Sequence, residues 1–213
     1  MMDIAKYKHI IWDWNGTLFD DVNLCIEIIN SMLVKRRMPV VSFDEYREIF
    51  SFPVIDYYQK IGFDFALEPF ETVSTEFITQ YEKLRSGCSL MFDAVETLDR
   101  ISRSGATQSI LSASKQSYLS KAVLEYGLDK TFVAVNGLDH HHATSKVEIG
   151  KEFITRSGLD PSKILLIGDT THDAEVAALI GADCCLIPNG HQSSNKLMDC
   201  GVPVVDSLSK LHQ

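Results

Sequence analysis

The 213-residue sequence lacks an apolar run that could cross a membrane, and its cysteines lack the spacing of a metal knuckle. A spanning helix needs about 20 apolar residues, and the first apolar run is also too short for a signal peptide. The five cysteines are odd in number and include no CxxC pair, which disfavours a disulfide framework. We therefore expect a reduced, cytoplasmic protein with no membrane partner.

Basic residues are fewer than acidic ones. Lys and Arg number 20 against 29 Asp and Glu, which gives a formal net charge of −9. Such a field repels phosphate backbones, so we expect no nucleic-acid partner. It does not exclude a small phosphorylated ligand, because a bound cation can invert the local charge. Nothing in the sequence indicates an oligomeric state.

Short apolar runs alternate with segments of helical period over most of the chain. The runs suited to buried strands are His9–Trp14, Ser109–Leu111, Thr131–Val135, Ile164–Ile167 and Cys184–Ile187. Such alternation indicates a parallel sheet covered by helices on both faces. Between residues 19 and 87 the pattern is helical only. The sequence therefore predicts a three-layer, Rossmann-like α/β core built from residues 1–18 and 88–213, with an all-helical cap at 19–87.

Polar residues follow four of these runs, and ligands of open parallel sheets bind at the carboxyl ends of the strands. The four residues are Asp13, Ser112, Lys146 and Asp169. Each also has a purely structural interpretation. Asp13 would precede a hairpin turn at Asn15-Gly16, Ser112 and Asp169 would cap helices, and Lys146 would be a solvated surface residue. The chain after the first run enters a helical pattern and not a returning strand, which argues against the hairpin.

Two of these segments carry a more specific pattern. The first reads DWNGTLFD from Asp13 and the fourth reads GDTTHD from Gly168. They resemble motifs I and IV of the haloacid dehalogenase (HAD) superfamily, whose phosphatases read Asp-x-Asp-Gly-Thr and later GDxxxD. Ser112 and Lys146 stand where motifs II and III fall, and a small helical cap between motifs I and II is the family's arrangement.

Within the superfamily, the sequence is most similar to the phosphoglycolate-phosphatase-like branch. Asp20 matches an acid usual in that branch. Residues 51–53, which read SFP, stand where the branch often has a loop that meets the substrate.

The resemblance implies a Mg²⁺-dependent phosphatase whose partner is a small phosphorylated metabolite, phosphoglycolate-like or a sugar phosphate. Asp13 would be the nucleophile that forms an aspartyl-phosphate. The Mg²⁺ ligands would be Asp13, the backbone carbonyl of Asn15, Asp169 and Asp173. The phosphoryl group would contact Gly16, Thr17, Ser112, Ala113 and Lys146. Lys151, one turn further along the same predicted helix, is the alternative to Lys146.

Asn15 departs from the family's pattern, since it stands where HAD phosphatases have their second Asp. That Asp protonates the leaving group and later activates water, and an amide does neither at neutral pH. Two explanations stay open: a tolerated variant that keeps activity, or a catalytically weak or silent phosphate-binding protein.

Two other HAD enzymes also lack the second Asp. A 2-haloacid dehalogenase needs no metal, and the intact GDxxxD pattern argues against it. A phosphonatase needs a cap lysine for a Schiff base. Val54 stands at that position here, and Lys60 lies on the wrong side of a helix turn.

Histidines offer substitutes for the missing acid, because imidazole titrates near neutral pH. Three consecutive residues, His140, His141 and His142, precede Lys146. They cannot all face one ion in a regular strand or helix, and a solvated loop is the favoured interpretation. One of them could still reach the site, and His172 and His191 are further candidates.

Overall fold

The computed structural model describes residues 2–138 and 145–212. At its centre is a parallel sheet of five strands: β1 (His9–Trp12), β2 (Thr107–Lys115), β3 (Ala134–Leu138), β4 (Ile164–Gly168) and β5 (Asp183–Leu186). Their spatial order is β3-β2-β1-β4-β5. The strand order therefore reverses beside β1, and ligands of doubly wound sheets bind at such a reversal. The predicted α/β fold class is confirmed.

Helices connect and cover the strands. Before β2 the chain forms α1 (Val22–Lys35), α2 (Phe43–Ile49), α3 (Val54–Lys60), α4 (Phe70–Leu84) and α5 (Ala94–Arg103). After β2 come α6 (Gln116–Glu125), α7 (Lys146–Ser157), α8 (Thr171–Ile180) and α9 (Ser194–Met198). No helix in the part of the chain that the structure describes is both long and apolar enough to cross a membrane.

The two faces of the sheet bury separate sets of side chains. All residues of β1 and β4 are buried, as expected for parallel strands covered on both sides. Because successive side chains of a strand point to opposite faces, Ile10 and Trp12 pack with α5 and α6, whereas Ile11 packs with α7 and α8. The three layers anticipated from the sequence follow from this alternation.

Helices α1 to α4 bury a hydrophobic cluster of their own, formed by residues between 22 and 81. Local signals account for their ends. Ser42 and Glu45 form a reciprocal capping box at the start of α2, and Pro53 precedes α3, whose first turn lacks backbone partners in any case. The exact boundary of a cap at 19–87 stays a prediction.

Strand β3 begins later than the apolar run at Thr131–Val135 suggests. The backbone N–H of Thr131 donates to the carbonyl of Leu128 and closes a turn. The Phe132 side chain is buried in the core although it precedes the strand. Pairing with β2 starts at Ala134, opposite Ser109. An apolar residue in a buried turn thus has the same sequence appearance as a strand residue.

Candidate active site

Three buried carboxylates meet where β1 and β4 end. Asp13 directly follows β1 and Asp169 directly follows β4, and the Asp13 N–H donates to the carbonyl of Ile167 over 2.8 Å. Asp173 joins them from the first turn of α8. Ligand atoms of the three carboxylates lie within 4.8 Å of one another. The acids predicted from the first and fourth runs are therefore brought together.

Lys146 places an ammonium group between two of these carboxylates. It is the first residue of α7, whose N-cap Ser145 accepts from the N–H of Glu148. The Lys146 Nζ lies 2.5 Å from Asp13 Oδ1 and 2.5 Å from Asp173 Oδ1. Lys151 is exposed on the same helix. Lys146, and not Lys151, therefore lies beside the carboxylates.

Burial and mutual repulsion set the charge of the cluster. Burial raises the pKa of Asp13, and Asp173 and Asp169 add to the rise, while the Lys146 ammonium opposes it. Burial likewise raises the pKa of Asp169. Burial also opposes ionisation of Asp173, but Lys146 outweighs it and holds the pKa of that carboxyl below its usual range. Three carboxylates share one ammonium, so a bound cation would relieve the remaining repulsion.

Asp169 is held in place by side-chain and backbone donors. Thr17 Oγ1 donates to its Oδ1 over 2.9 Å, and the His191 N–H donates to its Oδ2 over 2.6 Å. Two glycines make this approach feasible. A Cβ at Gly16, where φ is +72°, or at Gly190 would lie 2.4 Å or 2.0 Å from Asp169 Oδ2. Any larger residue would push the loop away from the carboxylate.

The Asn15 amide is fully engaged within the protein. Its Nδ2 donates to Asp21 Oδ2 over 2.6 Å and to the Tyr81 hydroxyl over 2.7 Å. Its Oδ1 accepts from Ser114 Oγ over 2.6 Å. Asp21 is buried, whereas its neighbour Asp20, which the resemblance singled out, is exposed. The acid beside position 15 is therefore Asp21.

His191 is the histidine that joins this network. Its Nε2 lies 3.3 Å from Asp21 Oδ1, and its Nδ1 shares a 2.9 Å hydrogen bond with the Tyr46 hydroxyl. Burial lowers the pKa of His191, but the carboxylates of Asp21, Asp169 and Asp13 outweigh burial and raise it to about 9. These carboxylates therefore favour the protonated form of His191.

His172, another histidine candidate, has different partners. His172 pairs with Glu175 over 3.2 Å, and its ring lies 4.9 Å from that of Phe52, centroid to centroid. The interpretation of His140, His141 and His142 as a solvated loop falls on residues outside those described.

Ser112 does not begin a helix, contrary to the interpretation of its segment from sequence. It lies inside β2, and α6 starts only at Gln116. The pairing register with β3 shifts between Leu111 and Lys115, and the strand continues to Lys115 before the chain turns. Ser112 Oγ accepts from the N–H of Ser114 over 3.1 Å. No helix terminus therefore favours an anion at Ser112 itself, although its side chain is buried.

A cavity of about 610 Å³ lies between these carboxylates and helices α2 to α4. Ser112, Ala113, Lys146 and the three carboxylates line its floor. The guanidinium of Arg47 in α2 donates to the carbonyls of Gly190 and Gln192 over 2.9 and 2.7 Å. The helical segment is therefore tied to the loop that carries His191.

Sequence reasoning missed Asp21, Tyr46 and Tyr81. A signal for the first exists, because Asp21 stands immediately before the apolar stripe of α1, where an N-cap acid is common. Both tyrosines fall on helices whose apolar faces read as ordinary core positions. Their hydroxyl partners come from distant parts of the chain.

This sheet order, helical insert and carboxylate cluster define an HAD-like hydrolase. The family described as haloacid dehalogenase-like hydrolase matches residues 10–187, and the chain belongs to this family.

Several solved structures share the fold. A haloacid dehalogenase-like hydrolase, SP0104 from Streptococcus pneumoniae, superposes with a TM-score of 0.84 at 16% identity, covering 97% of both chains. A predicted phosphoglycolate phosphatase from Haemophilus somnus superposes with a TM-score of 0.79 at 18% identity. CbbY from Rhodobacter sphaeroides, in complex with phosphate, superposes with a TM-score of 0.73 at 15% identity. Each of these two superpositions covers 96% of both chains. No curated protein matches the chain.

Proposed function

We propose that the chain is a Mg²⁺-dependent phosphomonoesterase that transfers the phosphoryl group of a small phosphorylated metabolite to Asp13 and then to water. The observation that carries this proposal is the Asp13 carboxylate, which lies at the end of β1, faces the cavity and is held by Lys146 at 2.5 Å. The predicted phosphoglycolate phosphatase among the structural neighbours, and the phosphate bound to CbbY, are in accord with it.

In the first half-reaction, an Asp13 oxygen attacks phosphorus while the bond from phosphorus to the leaving oxygen breaks. The leaving oxygen takes a proton from solvent water, and the phosphoryl group stays on Asp13. In the second, water attacks phosphorus and releases Asp13 and inorganic phosphate. Lys146 holds Asp13 in position and offsets negative charge, and Asp173 fixes Lys146 from the other side.

The donor set suits Mg²⁺, which prefers oxygen ligands and is commonly bound by one or two carboxylates with substrate phosphate. Asp13, Asp169 and the backbone carbonyl of Asn15 would hold it. Asp173 would support it from beside the site, because its own oxygens already accept from Lys146 and Thr170. When bound, the ion would neutralise charge on the phosphoryl oxygens.

A catalytically weak or silent phosphate-binding protein is the second candidate, and Asn15 favours it. Both amide hydrogens point to Asp21 and Tyr81, so the side chain offers the substrate no proton. One general acid–base group contributes about 10²–10⁴-fold. We therefore expect slow turnover, but not none.

The phosphonatase alternative finds no support in the cavity. Lys115 and Lys146 are the lysines along its described lining, and neither comes from residues 19–87. Lys60 is exposed, and its Nζ donates a hydrogen bond to Ser51 Oγ over 3.2 Å. A dehalogenase would not require the Asp169 and Asp173 carboxylates that meet Asp13 here.

An assay of an activated aryl phosphate with Mg²⁺, with excess EDTA, and with Asp13→Asn tests the proposal. We expect slow, Mg²⁺-dependent release of phosphate that EDTA and the variant both abolish. Undiminished turnover in EDTA would favour a metal-independent reaction. Phosphate binding without turnover would favour the silent protein.

A further inference from the structure

The part of the cavity wall that the helical segment contributes includes a continuous row of aromatic rings. Six of them are Phe50, Phe52, Tyr57, Tyr58, Phe77 and Tyr81. Successive ring centroids along this row lie 5.2 to 6.5 Å apart. Such spacing is typical of favourable aromatic contacts, and the row presents faces and edges that suit a further ring. We call these six residues the aromatic wall.

Cations that could meet an acidic leaving group are scarce in this cavity. Among its described lining residues, Lys146, Arg85 and His191 each already have a carboxylate partner. The Lys115 ammonium lies 5.1 Å from the ring centroid of Tyr118. Asp21, which also lines the cavity, adds negative charge beside Tyr81 of the aromatic wall. Among the described lining cations, Lys115 is left without a carboxylate partner, and its ammonium faces the Tyr118 ring. The aromatic wall itself offers the carboxylate of phosphoglycolate no cation.

Asn15 restricts the leaving group in a second, independent way. Its amide hydrogens are donated to Asp21 and Tyr81, so residue 15 cannot protonate the departing oxygen. An alkoxide leaves poorly without a proton. A phenolate leaves far more readily, since a phenol has a pKa of about 10.

We propose that the natural substrate is the phosphate monoester of a phenol, an aryl phosphate whose uncharged ring rests on the aromatic wall. This inference rests on the proposed function, because it places the phosphoryl group at Asp13. Cleavage breaks the bond between phosphorus and the phenolic oxygen, leaves a phenolate that water protonates, and transfers the phosphoryl group to Asp13. Apolar surface and the missing acid at position 15 point to the same class of ester.

A substrate series tests the inference by kcat/KM. The series is 2-naphthyl phosphate, phenyl phosphate, benzyl phosphate and phosphoglycolate, all with Mg²⁺. We expect that order, with 2-naphthyl phosphate exceeding phosphoglycolate by at least about tenfold, the low end for burying one aromatic ring. If the kcat/KM for phosphoglycolate equalled that for the aryl esters, the inference would be overturned and the phosphatase proposal would stand. Hydrolysis of none of the four would overturn both.

A pair of Phe→Ala variants separates the aromatic wall from general packing. Phe52 lines the cavity yet is 36% exposed, so Phe52→Ala should still fold. Phe92, fully exposed and outside the cavity, supplies the control Phe92→Ala. We expect Phe52→Ala to raise KM for 2-naphthyl phosphate by about two- to tenfold, the range for one aromatic contact.

The same variant should change KM for phosphoglycolate less than KM for 2-naphthyl phosphate, and the Phe92→Ala control should change neither value. An equal effect of Phe52→Ala on both substrates, or no effect on either, would contradict a ring seated on the aromatic wall.

Discussion

Replacing Asn15 by Asp puts a carboxyl group where the amide now donates to Asp21. In the wild type, Asn15 Nδ2 lies 2.6 Å from Asp21 Oδ2, and Asp21 is buried. Two carboxylates there would have charge centres about 4 Å apart, which costs about 4 kcal/mol at an effective dielectric constant of about 20. That corresponds to about three pKa units. Protonated His191 reduces this repulsion without cancelling it.

The pair in Asn15→Asp should therefore share one proton at neutral pH. The shared proton supplies the missing general acid, and we expect turnover of an alkyl phosphate such as benzyl phosphate to rise by up to about 10²–10⁴-fold. The gain should be smaller for aryl phosphates, whose leaving group needs less help. Peptide mass analysis of the wild type is the control, because deamidation at Asn15-Gly16 would create the same residue.

The same repulsion predicts how the stability of Asn15→Asp depends on pH. A carboxyl pKa raised in the folded state means that the folded protein binds more protons than the unfolded chain. Relative to wild type, the free energy of unfolding should fall as pH rises from about 4, the unfolded value, towards the raised pKa. Thermal unfolding in EDTA across this range measures the loss.

The double variant Asn15→Asp/Asp21→Asn is the matched control for that measurement. It restores one amide and one carboxylate in exchanged positions, so the pH-dependent loss should disappear. If Asn15→Asp alone changed neither turnover nor the pH dependence of stability, the side chain at position 15 would not face Asp21, and another group would carry the proton.

Three further substitutions test individual contacts. Asp13→Asn should abolish phosphatase activity, while the midpoint temperature of thermal unfolding without metal stays equal or rises, since the change removes a buried carboxylate. Activity near wild type would exclude Asp13 as the nucleophile. Lys146→Ala should weaken inhibition by inorganic phosphate and lower kcat, while Lys151→Ala should alter neither, and the reverse pattern would reassign the lysine. Gly190→Ala should raise the Mg²⁺ concentration needed for half-maximal activity, because its Cβ would lie 2.0 Å from an oxygen of Asp169; an unchanged Mg²⁺ dependence would show that the loop absorbs the methyl group.

The polar residues at the ends of β1 and β4 could be predicted because local patterns determine them. An apolar run followed by Asp is visible at Asp13 and Asp169, and parallel strands carry such residues to one edge of the sheet. Lys146 was predicted less directly. Its distinction from Lys151 depends on where α7 begins, which Ser145 marks by capping.

The surroundings of Asn15 could not be predicted, because they depend on how the helical segment packs over the sheet. Asp21 and Tyr81 bond to the Asn15 amide, and His191 reaches Asp21 from a third part of the chain. The placement of Ser112 was wrong for a different reason, since β2 continues past Leu111 in a shifted register without an apolar pattern to mark it.

The central claim is that Asp13 carries the phosphoryl group, and trapping the intermediate tests it most directly. With an aryl phosphate, Asp13 should become phosphorylated quickly, while the second step lacks an activated water because residue 15 is an amide. Rapid acid quench should show a burst of released phenol equal to the enzyme present. Peptide mass analysis should place one phosphoryl group on Asp13, and Asp13→Asn should show neither. Linear release without a burst, or a phosphoryl group on another residue, would contradict the account.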